Sequence, residues 1–232
     1  MSTSRRRFID SLATGTLALG ALPLALDAMP ADIRGVGRPP EADGASQAGW
    51  DTAWGSRLKG RIKTVFDVPE VESGFPVWRA SIWSGQYEQV LGVPARDTST
   101  ALVLRHKAII LAMQQSFWDR FGIGKAQSVT HPLTGQPTDK NPALMGAADG
   151  VGEPFSNFSL DKFISRGGVA LACNLALQFE VVPLIQKADN LTEAQANEKA
   201  RAMLVPGVIL QPSGMFAVIR AQEAGAYYFR AS

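Results

Sequence analysis

The amino-acid sequence predicts a three-layer α/β domain over residues 60–232, and three observations support this prediction. Short strand-like runs alternate with segments of helical spacing, which is the pattern of a sheet covered by helices on both faces. Residues 169–172 are apolar throughout and lie between glycines and Asn174, as expected of a strand buried on both faces of a parallel sheet. No internal repeat appears, so the elements form one domain and not an array.

Five strands are predicted. Each is a short apolar or aromatic run that ends near a proline, a glycine or a polar residue. In chain order they cover residues 63–67, 100–105, 169–172, 208–211 and 226–229.

Helical segments alternate with these strands. Thr192 and Gln195 have the spacing of a capping box, and Ser159 and Ser213 stand at N-cap positions. Pro183 lies inside one helical segment and is expected to kink it. The predicted helices cover residues 76–90, 108–113, 115–121, 159–165, 175–188, 192–203 and 213–224.

The chain begins with the pattern of an export signal. An arginine-rich start is followed by an apolar run over residues 12–26, which is shorter than the roughly 20 apolar residues of a membrane span. The sequence around Arg5 and Arg6 resembles the twin-arginine signal, which exports folded proteins across the bacterial inner membrane. We therefore predict a signal peptide over residues 1–31 and a periplasmic mature chain. An uncleaved N-terminal anchor is the alternative.

The charge of the predicted mature chain argues against two classes of partner. Residues 1–31 hold three of the 23 basic and two of the 21 acidic residues, which leaves 20 basic and 19 acidic side chains. A net charge near +1 gives no electrostatic reason to expect nucleic acid or an anionic membrane as a partner. We also predict no membrane span in the mature chain, because no later apolar run has the necessary length.

Cysteine and histidine are scarce, which limits the chemistry of the chain. Cys173 is the only cysteine, so the chain has no internal disulfide, and an unpaired thiol is unusual in an exported protein. His106 and His131 are the only histidines, and their spacing to Cys173 fits neither zinc nor haem. The sequence also lacks a glycine-rich phosphate-binding motif. We predict no metal and no cofactor.

Two segments are predicted to lack regular structure. Residues 32–59 are rich in glycine, proline and charge and form a flexible linker, in which Trp50, Trp54 and Leu58 are candidates for docking onto the domain. Residues 125–157 are rich in Thr, Pro, Gly and Asn. A loop insertion of this length in a compact domain is usually functional or disordered.

Several weak motifs follow one another in an order that is typical of one family. Cys173 ends one apolar strand, and His106 follows another. Downstream come a Pro-Gly-Val strand start, a Pro-Ser-Gly turn, a helix with glutamine and glycine, and an aromatic last strand. In this order the chain resembles the DsrE/DsrF-like family of sulfur-relay proteins over most of residues 63–230. The downstream motifs are Pro206-Gly207-Val208, Pro212-Ser213-Gly214, Gln222 with Gly225, and Tyr227-Tyr228.

The resemblance implies a fold and an activity. The family fold is an α/β/α sandwich with a mostly parallel five-stranded sheet, usually assembled as a homo-oligomer. In active members a cysteine carries sulfur as a persulfide and passes it to a thiol of a partner protein. The resemblance thus implies that Cys173 carries sulfur and that His106 assists. The chain departs from the family pattern at Asn174, where glycine is frequent, and at Lys107-Ala108, which follow His106 in place of a small residue and proline.

Each candidate residue also has a purely structural interpretation. A helix dipole would favour the nucleophilic thiolate of Cys173, but free cysteine is also among the most buried residue types. His106 can act as a base or hold only a structural hydrogen bond. Arg105 can attract an anion or be a solvated charge. Ser213 and Gly214 can bind an anion with free amides, or Ser213 can be a plain N-cap.

Two functions follow from these residues. The first is an exported DsrE-like protein that binds or relays sulfur through Cys173, with His106 as the assisting group. The second is a non-catalytic oligomeric protein that binds a small anion or other ligand, with Cys173 buried. Arg105, Asn174, Ser213 and Gly214 are the candidate ligand-binding residues in either case. Parallel strands gather their carboxyl ends at one edge, so the strand order determines whether these residues meet.

Overall fold

Five parallel strands form the centre of the fold in the computed structural model, which describes residues 49–232. The strand order is β4-β3-β2-β1-β5. All five predicted strands are confirmed, with ends that differ by one or two residues. The strands are β1 (Ile62–Val68), β2 (Thr98–Leu104), β3 (Val169–Cys173), β4 (Ile209–Gln211) and β5 (Tyr227–Arg230).

The strand order determines which face each connection covers. From β1 to β4 every strand is added on the same side of the one before it, so right-handed crossovers place these three connections on one face. The chain then returns from β4 to β5 at the far edge, which places the last helix on the opposite face. The predicted α/β/α sandwich is confirmed, and its sheet is parallel throughout.

Three helices begin at a residue whose side chain accepts from a free backbone N–H group, whereas Ser159 stands at the predicted N-cap position without a side-chain capping hydrogen bond. The capping box is present: the Thr192 hydroxyl accepts from the Gln195 N–H, and the Gln195 side-chain oxygen accepts from the Thr192 N–H. Ser213 Oγ accepts from the Phe216 N–H at 3.1 Å. The helices are α1 (Phe75–Leu91), α2 (Gln115–Phe121), α3 (Ile123–Ala126), α4 (Leu160–Ser165), α5 (Asn174–Ala176), α6 (Val182–Asp189), α7 (Glu193–Ala202) and α8 (Gly214–Glu223).

The helical segment after β3 is irregular. A π-helical turn, Leu177–Val181, joins α5 to α6. Pro183 stands in the first turn of α6, where a residue without an N–H leaves no hydrogen bond unmade. The sequence predicts one helix kinked at Pro183, and the structure replaces this kink with the wider turn just before it.

One of the predicted helices is a 3-10 helix in the structure. Residues 108–113 are predicted as a buried helix, but the structure has a 3-10 helix at His106–Ala112. His106 has a positive φ of 50°, which breaks the chain direction after β2. The residues from Ala108 to Ala112 are buried, as predicted.

The segment at residues 125–157 is packed against the domain. It contains three 3-10 helical turns, at Pro142–Leu144, Ala147–Asp149 and Phe155–Asn157. The buried Asn141 side chain donates to the carbonyl oxygens of Leu111 at 3.1 Å and Met113 at 2.8 Å. These bonds satisfy backbone acceptors that the preceding 3-10 helix leaves free.

Two cores lie on the two faces of the sheet. The larger core joins Phe66 and Leu102 of the sheet to Val77 of α1 and Ile185 of α6. The smaller core, under α8, contains Val65, Val103, Leu171 and Ala217, and Trp54 and Leu58 also belong to it.

The chain before β1 contributes to the domain. A 3-10 helix covers Ala53–Arg57, and Trp54 and Leu58 are buried in the core under α8. The folded part therefore reaches back into the predicted linker, of which residues 32–48 lie outside the described residues. The predicted signal peptide with Arg5 and Arg6 also lies outside them. Among residues 49–232, no helix has the length and apolar character needed to cross a membrane.

Candidate functional site

Polar residues form a row at the carboxyl edge of the sheet. Leu104 of β2 pairs with Ala172 of β3, so Arg105, the next residue, lies level with Cys173. Cys173 in turn pairs directly with Gln211, the last residue of β4. Arg105, Cys173 and Gln211 therefore lie side by side at the carboxyl ends of three neighbouring strands, and we call these residues the carboxyl-edge row.

The carboxyl-edge row lies where the connections that follow the strands change from one face of the sheet to the other. After β3 the chain enters α5 on the face of α1, whereas after β4 it enters α8 on the other face. A crevice opens between two neighbouring strands whose connections leave on opposite faces, and open α/β proteins bind ligands in such crevices. Cys173 and Gln211 flank this position.

Arg105 is fixed by a buried carboxylate. Its Nε donates to Asp67 Oδ1 at 2.6 Å, and its Nη2 donates to Asp67 Oδ2 at 2.8 Å, so the pair is bidentate. The Tyr228 hydroxyl donates to the same Oδ2 at 2.9 Å. Asp67 is buried and thus receives three hydrogen bonds.

The pKa values of Arg105 and Tyr228 reflect their hydrogen bonds to Asp67. The pKa of Arg105 is raised, mainly by its hydrogen bond to Asp67, while burial acts in the opposite direction. Tyr228 and Cys173 make smaller contributions that also raise the pKa of Arg105. The pKa of Tyr228 is raised by burial first and by its hydrogen bond to Asp67 second.

Gly214 brings the start of α8 against the Arg105 side chain. A Cβ on Gly214 would lie 2.6 Å from Cδ and 2.7 Å from Cβ of Arg105, so a larger residue cannot occupy this position without movement. Ser213, just before it, caps α8 through its hydroxyl. The structure therefore brings four predicted site residues to one end of the sheet: Arg105, Cys173, Ser213 and Gly214.

Cys173 is buried at the junction of strand and helix. Its side chain is 6% exposed and packs into the larger core. Its Sγ accepts a hydrogen bond from the Ala176 N–H at 3.4 Å, so the sulfur occupies the N-cap position of α5. This position directs a backbone N–H donor at the sulfur.

Gln211 is a site residue that sequence reasoning does not single out. Its side chain is fully buried, and its Nε2 donates to the carbonyl oxygens of Asp51 at 2.7 Å and Leu210 at 3.0 Å. Its Oε1 is buried and has no hydrogen-bond partner. A buried acceptor without a donor is costly, so this oxygen suits a ligand or water with a free proton.

Asp67 and Tyr228 are also absent from the sequence-based site. Asp67 is the one charged residue inside an otherwise apolar strand end, which is a signal for a paired or functional group. Its partners could not be known without the strand order, because Arg105 and Tyr228 lie 38 and 161 residues away in the chain.

Two predicted site residues have partners elsewhere. His106 is exposed, and its Nδ1 lies 3.3 Å from Glu70 Oε1, so it pairs with Glu70 and not with Cys173. The Asn174 side-chain oxygen accepts from Arg201 Nη2 at 3.2 Å. The Arg201 guanidinium also lies over the ring of Trp50, 5.5 Å from its centroid.

No group of three or more His, Cys, Asp or Glu side chains within residues 49–232 is arranged to hold a metal ion. No known protein family, curated protein or solved structure matches the chain.

Proposed function

We propose that this chain is an exported, DsrE-like sulfur carrier that holds sulfur on Cys173. The observation that carries the proposal is the position of Cys173 in the carboxyl-edge row, between Arg105 and Gln211. The sulfur there accepts a backbone N–H, and Arg105, which Asp67 holds in position, lies level with Cys173 at the end of the neighbouring strand. Backbone N–H donors and guanidinium groups both stabilise a bound persulfide anion.

The proposed reaction is a balanced exchange of sulfur. The Cys173 thiolate attacks the outer sulfur of a polysulfide or persulfide donor, the S–S bond of the donor breaks, and the shortened donor leaves as a thiolate. Cys173 then carries a persulfide. The thiolate of a partner protein attacks its outer sulfur, and Cys173 leaves as a thiolate again. No net oxidation or reduction takes place.

Each neighbouring residue has a part in this proposal. Arg105 offsets the negative charge of the persulfide, and Asp67 holds Arg105 in position through two hydrogen bonds. Gln211 Oε1, which is buried without a hydrogen-bond partner, can accept a hydrogen bond from an N–H or O–H group of the donor or partner. His106, the predicted assisting residue, is exposed and lies 3.3 Å from Glu70 Oε1.

The proposal includes a location and an assembly. The arginine-rich start with Arg5 and Arg6 supports export through the twin-arginine pathway to the periplasm. The resemblance to the DsrE/DsrF-like family supports a homo-oligomer and a thiol-bearing protein partner. The apolar side chains exposed on the domain, which include Val90 and Tyr227, support assembly independently.

A second function is favoured by a different observation. The sulfur of Cys173 is almost fully buried, and the Asp67 carboxylate already neutralises Arg105. A non-catalytic protein that binds a small anion or other ligand at the same edge would use Ser213, Gly214, Asn174 and Gln211, with Cys173 as a core residue. Free cysteine is often buried for packing alone.

One experiment separates the two functions. The folded chain is incubated with polysulfide and its intact mass is measured; a sulfur carrier gains the mass of sulfur, and a reductant removes it. Because Cys173 is the only cysteine, the Cys173→Ser variant is a complete control. Urea-unfolded wild type shows the reaction of a fully accessible thiol.

The outcomes are distinct. An adduct on the folded wild type supports the sulfur carrier. Reaction of the unfolded chain alone contradicts it and favours the binding function. In that case thiosulfate, as a probe anion, should raise the melting temperature of both wild type and Cys173→Ser.

A further inference from the structure

The outer side of β5 is an unprotected sheet edge. Within residues 49–232, no strand pairs with that side of β5. All four residues of β5 are exposed, and Tyr227 is 73% exposed. The strand has no proline, no lysine and no bulge in its pairing with β1, although natural monomers use such features to protect an edge.

An apolar groove lies beside this edge, between β5 and α1. Its volume is about 500 Å³, and all three tyrosines of the chain line it together with Trp83, Phe66 and Phe229. The groove exists because the crossover after β1 leads away from β5, so no connection on that face covers β5.

The end of α1 projects beside the groove. Residues 85–91 are exposed on every side of the helix, although Tyr87, Val90 and Leu91 are apolar or aromatic. Val90 is 76% exposed and Leu91 63%. Both lie one turn beyond Tyr87, which itself lines the groove, so projection and groove form one continuous surface. We call it the β5 edge surface.

We propose that the β5 edge surface is the interface with a second copy of this chain. A projection and a groove side by side on one surface are the elements that a twofold interface needs, since each copy offers its projection to the groove of the other. The surface also carries both Glu88 and Arg230, so charge does not oppose self-association.

The available area fits such an interface. The exposed parts of the three β5 aromatics, Tyr87, Val90 and Leu91 come to roughly 650 Å², taking about 200 Å² for a fully exposed aromatic side chain. A stable interface buries about 800 Å² on each partner, and neighbouring polar residues at the rim supply the rest.

This inference deepens the assembly proposed above and does not depend on sulfur chemistry at Cys173. Its test measures mass and leaves thiol reactivity aside, so the failure of one proposal is distinguishable from the failure of the other.

Sedimentation velocity of the full chain tests the interface. We expect the wild type to sediment with twice the mass of one chain. Tyr227→Lys and Val90→Lys should each raise the dissociation constant of the dimer at least about 100-fold, because each places a charged ammonium group in the apolar contact between projection and groove. Leu133→Lys, at an exposed apolar residue outside the surface, is the matched control and should remain dimeric.

Two results would overturn the inference. The first is a wild type that is monomeric throughout the micromolar range. The second is a dimer that both lysine variants leave as intact as the control does. Far-UV circular dichroism confirms that each variant is folded, and Val90→Lys, at the exposed end of a helix, keeps the test valid if Tyr227→Lys does not fold.

Discussion

Replacement of Gly214 by alanine tests the close contact on which the carboxyl-edge row depends. The new methyl group would lie 2.6 Å from Cδ and 2.7 Å from Cβ of Arg105. Rotation of the Arg105 side chain can move Cδ away, but Cβ is fixed to the backbone. The start of α8 or the end of β2 must therefore shift, and rotation of the Arg105 side chain would in addition break the bidentate contact with Asp67.

Two opposing effects determine how much Gly214→Ala changes the free energy of unfolding. Overpacking of this kind costs about 1–3 kcal/mol, and the gain in helix propensity from glycine to alanine returns at most about 1 kcal/mol. We expect a net loss of about 2 kcal/mol, with about 4 kcal/mol as the upper end if the buried Asp67 loses its partner. For a domain of this size the loss lowers the melting temperature by about 6 °C.

Urea unfolding followed by circular dichroism measures this loss, and the chain offers a matched control. Gly85 lies inside α1, and no atom lies within 4 Å of the position that a methyl group would take there, so Gly85→Ala should raise stability by up to about 1 kcal/mol. In an Arg105→Gly background, which removes the atoms that the methyl meets, Gly214→Ala should cost little. An equal cost in both backgrounds would refute the role of the contact.

Two further predictions concern carboxylates. Asp67→Asn should lower the free energy of unfolding by about 3 kcal/mol in urea, because Arg105 then keeps its charge without a counter-ion; a loss below about 1 kcal/mol would show that the pair is not buried enough to matter. The pKa of Asp189 is lowered, chiefly by a hydrogen bond from Lys199, so its contribution to stability is complete above the unfolded-state pKa of about 3.9 and is lost as the pH falls through the folded value. The urea midpoint should therefore fall less steeply on acidification in Asp189→Asn than in wild type, and equal slopes would contradict the assignment.

The strands could be predicted because each is specified locally. The run at residues 169–172 is apolar on every residue and lies between glycines and Asn174, which is typical of a strand buried on both faces. The capping box at Thr192 likewise involves residues only three positions apart. Features of this kind do not depend on the rest of the fold.

The site was only partly predictable because its contacts join distant segments. The sequence indicates that three strands lead to Arg105, Cys173 and Ser213. These residues lie close together only because β2, β3 and β4 are neighbours in that order. The role of Asp67 depends on a contact across 38 residues. His106 has a positive φ, a conformation that is uncommon outside glycine, and the sequence does not reveal its contact with Glu70.

The charge of Arg105 separates the two proposed functions further. In the resting protein Asp67 takes two of its donors, so a persulfide on Cys173 competes with that carboxylate for the same guanidinium. In a sulfur carrier with this arrangement, neutralisation of the Asp67 carboxylate frees Arg105 to stabilise the persulfide anion. The same change lowers the free energy of unfolding. The Asp67→Asn variant of a carrier should therefore react faster with polysulfide while unfolding at lower urea. If Cys173 is only a core residue, any faster reaction should follow from unfolding alone and should scale with the unfolded fraction.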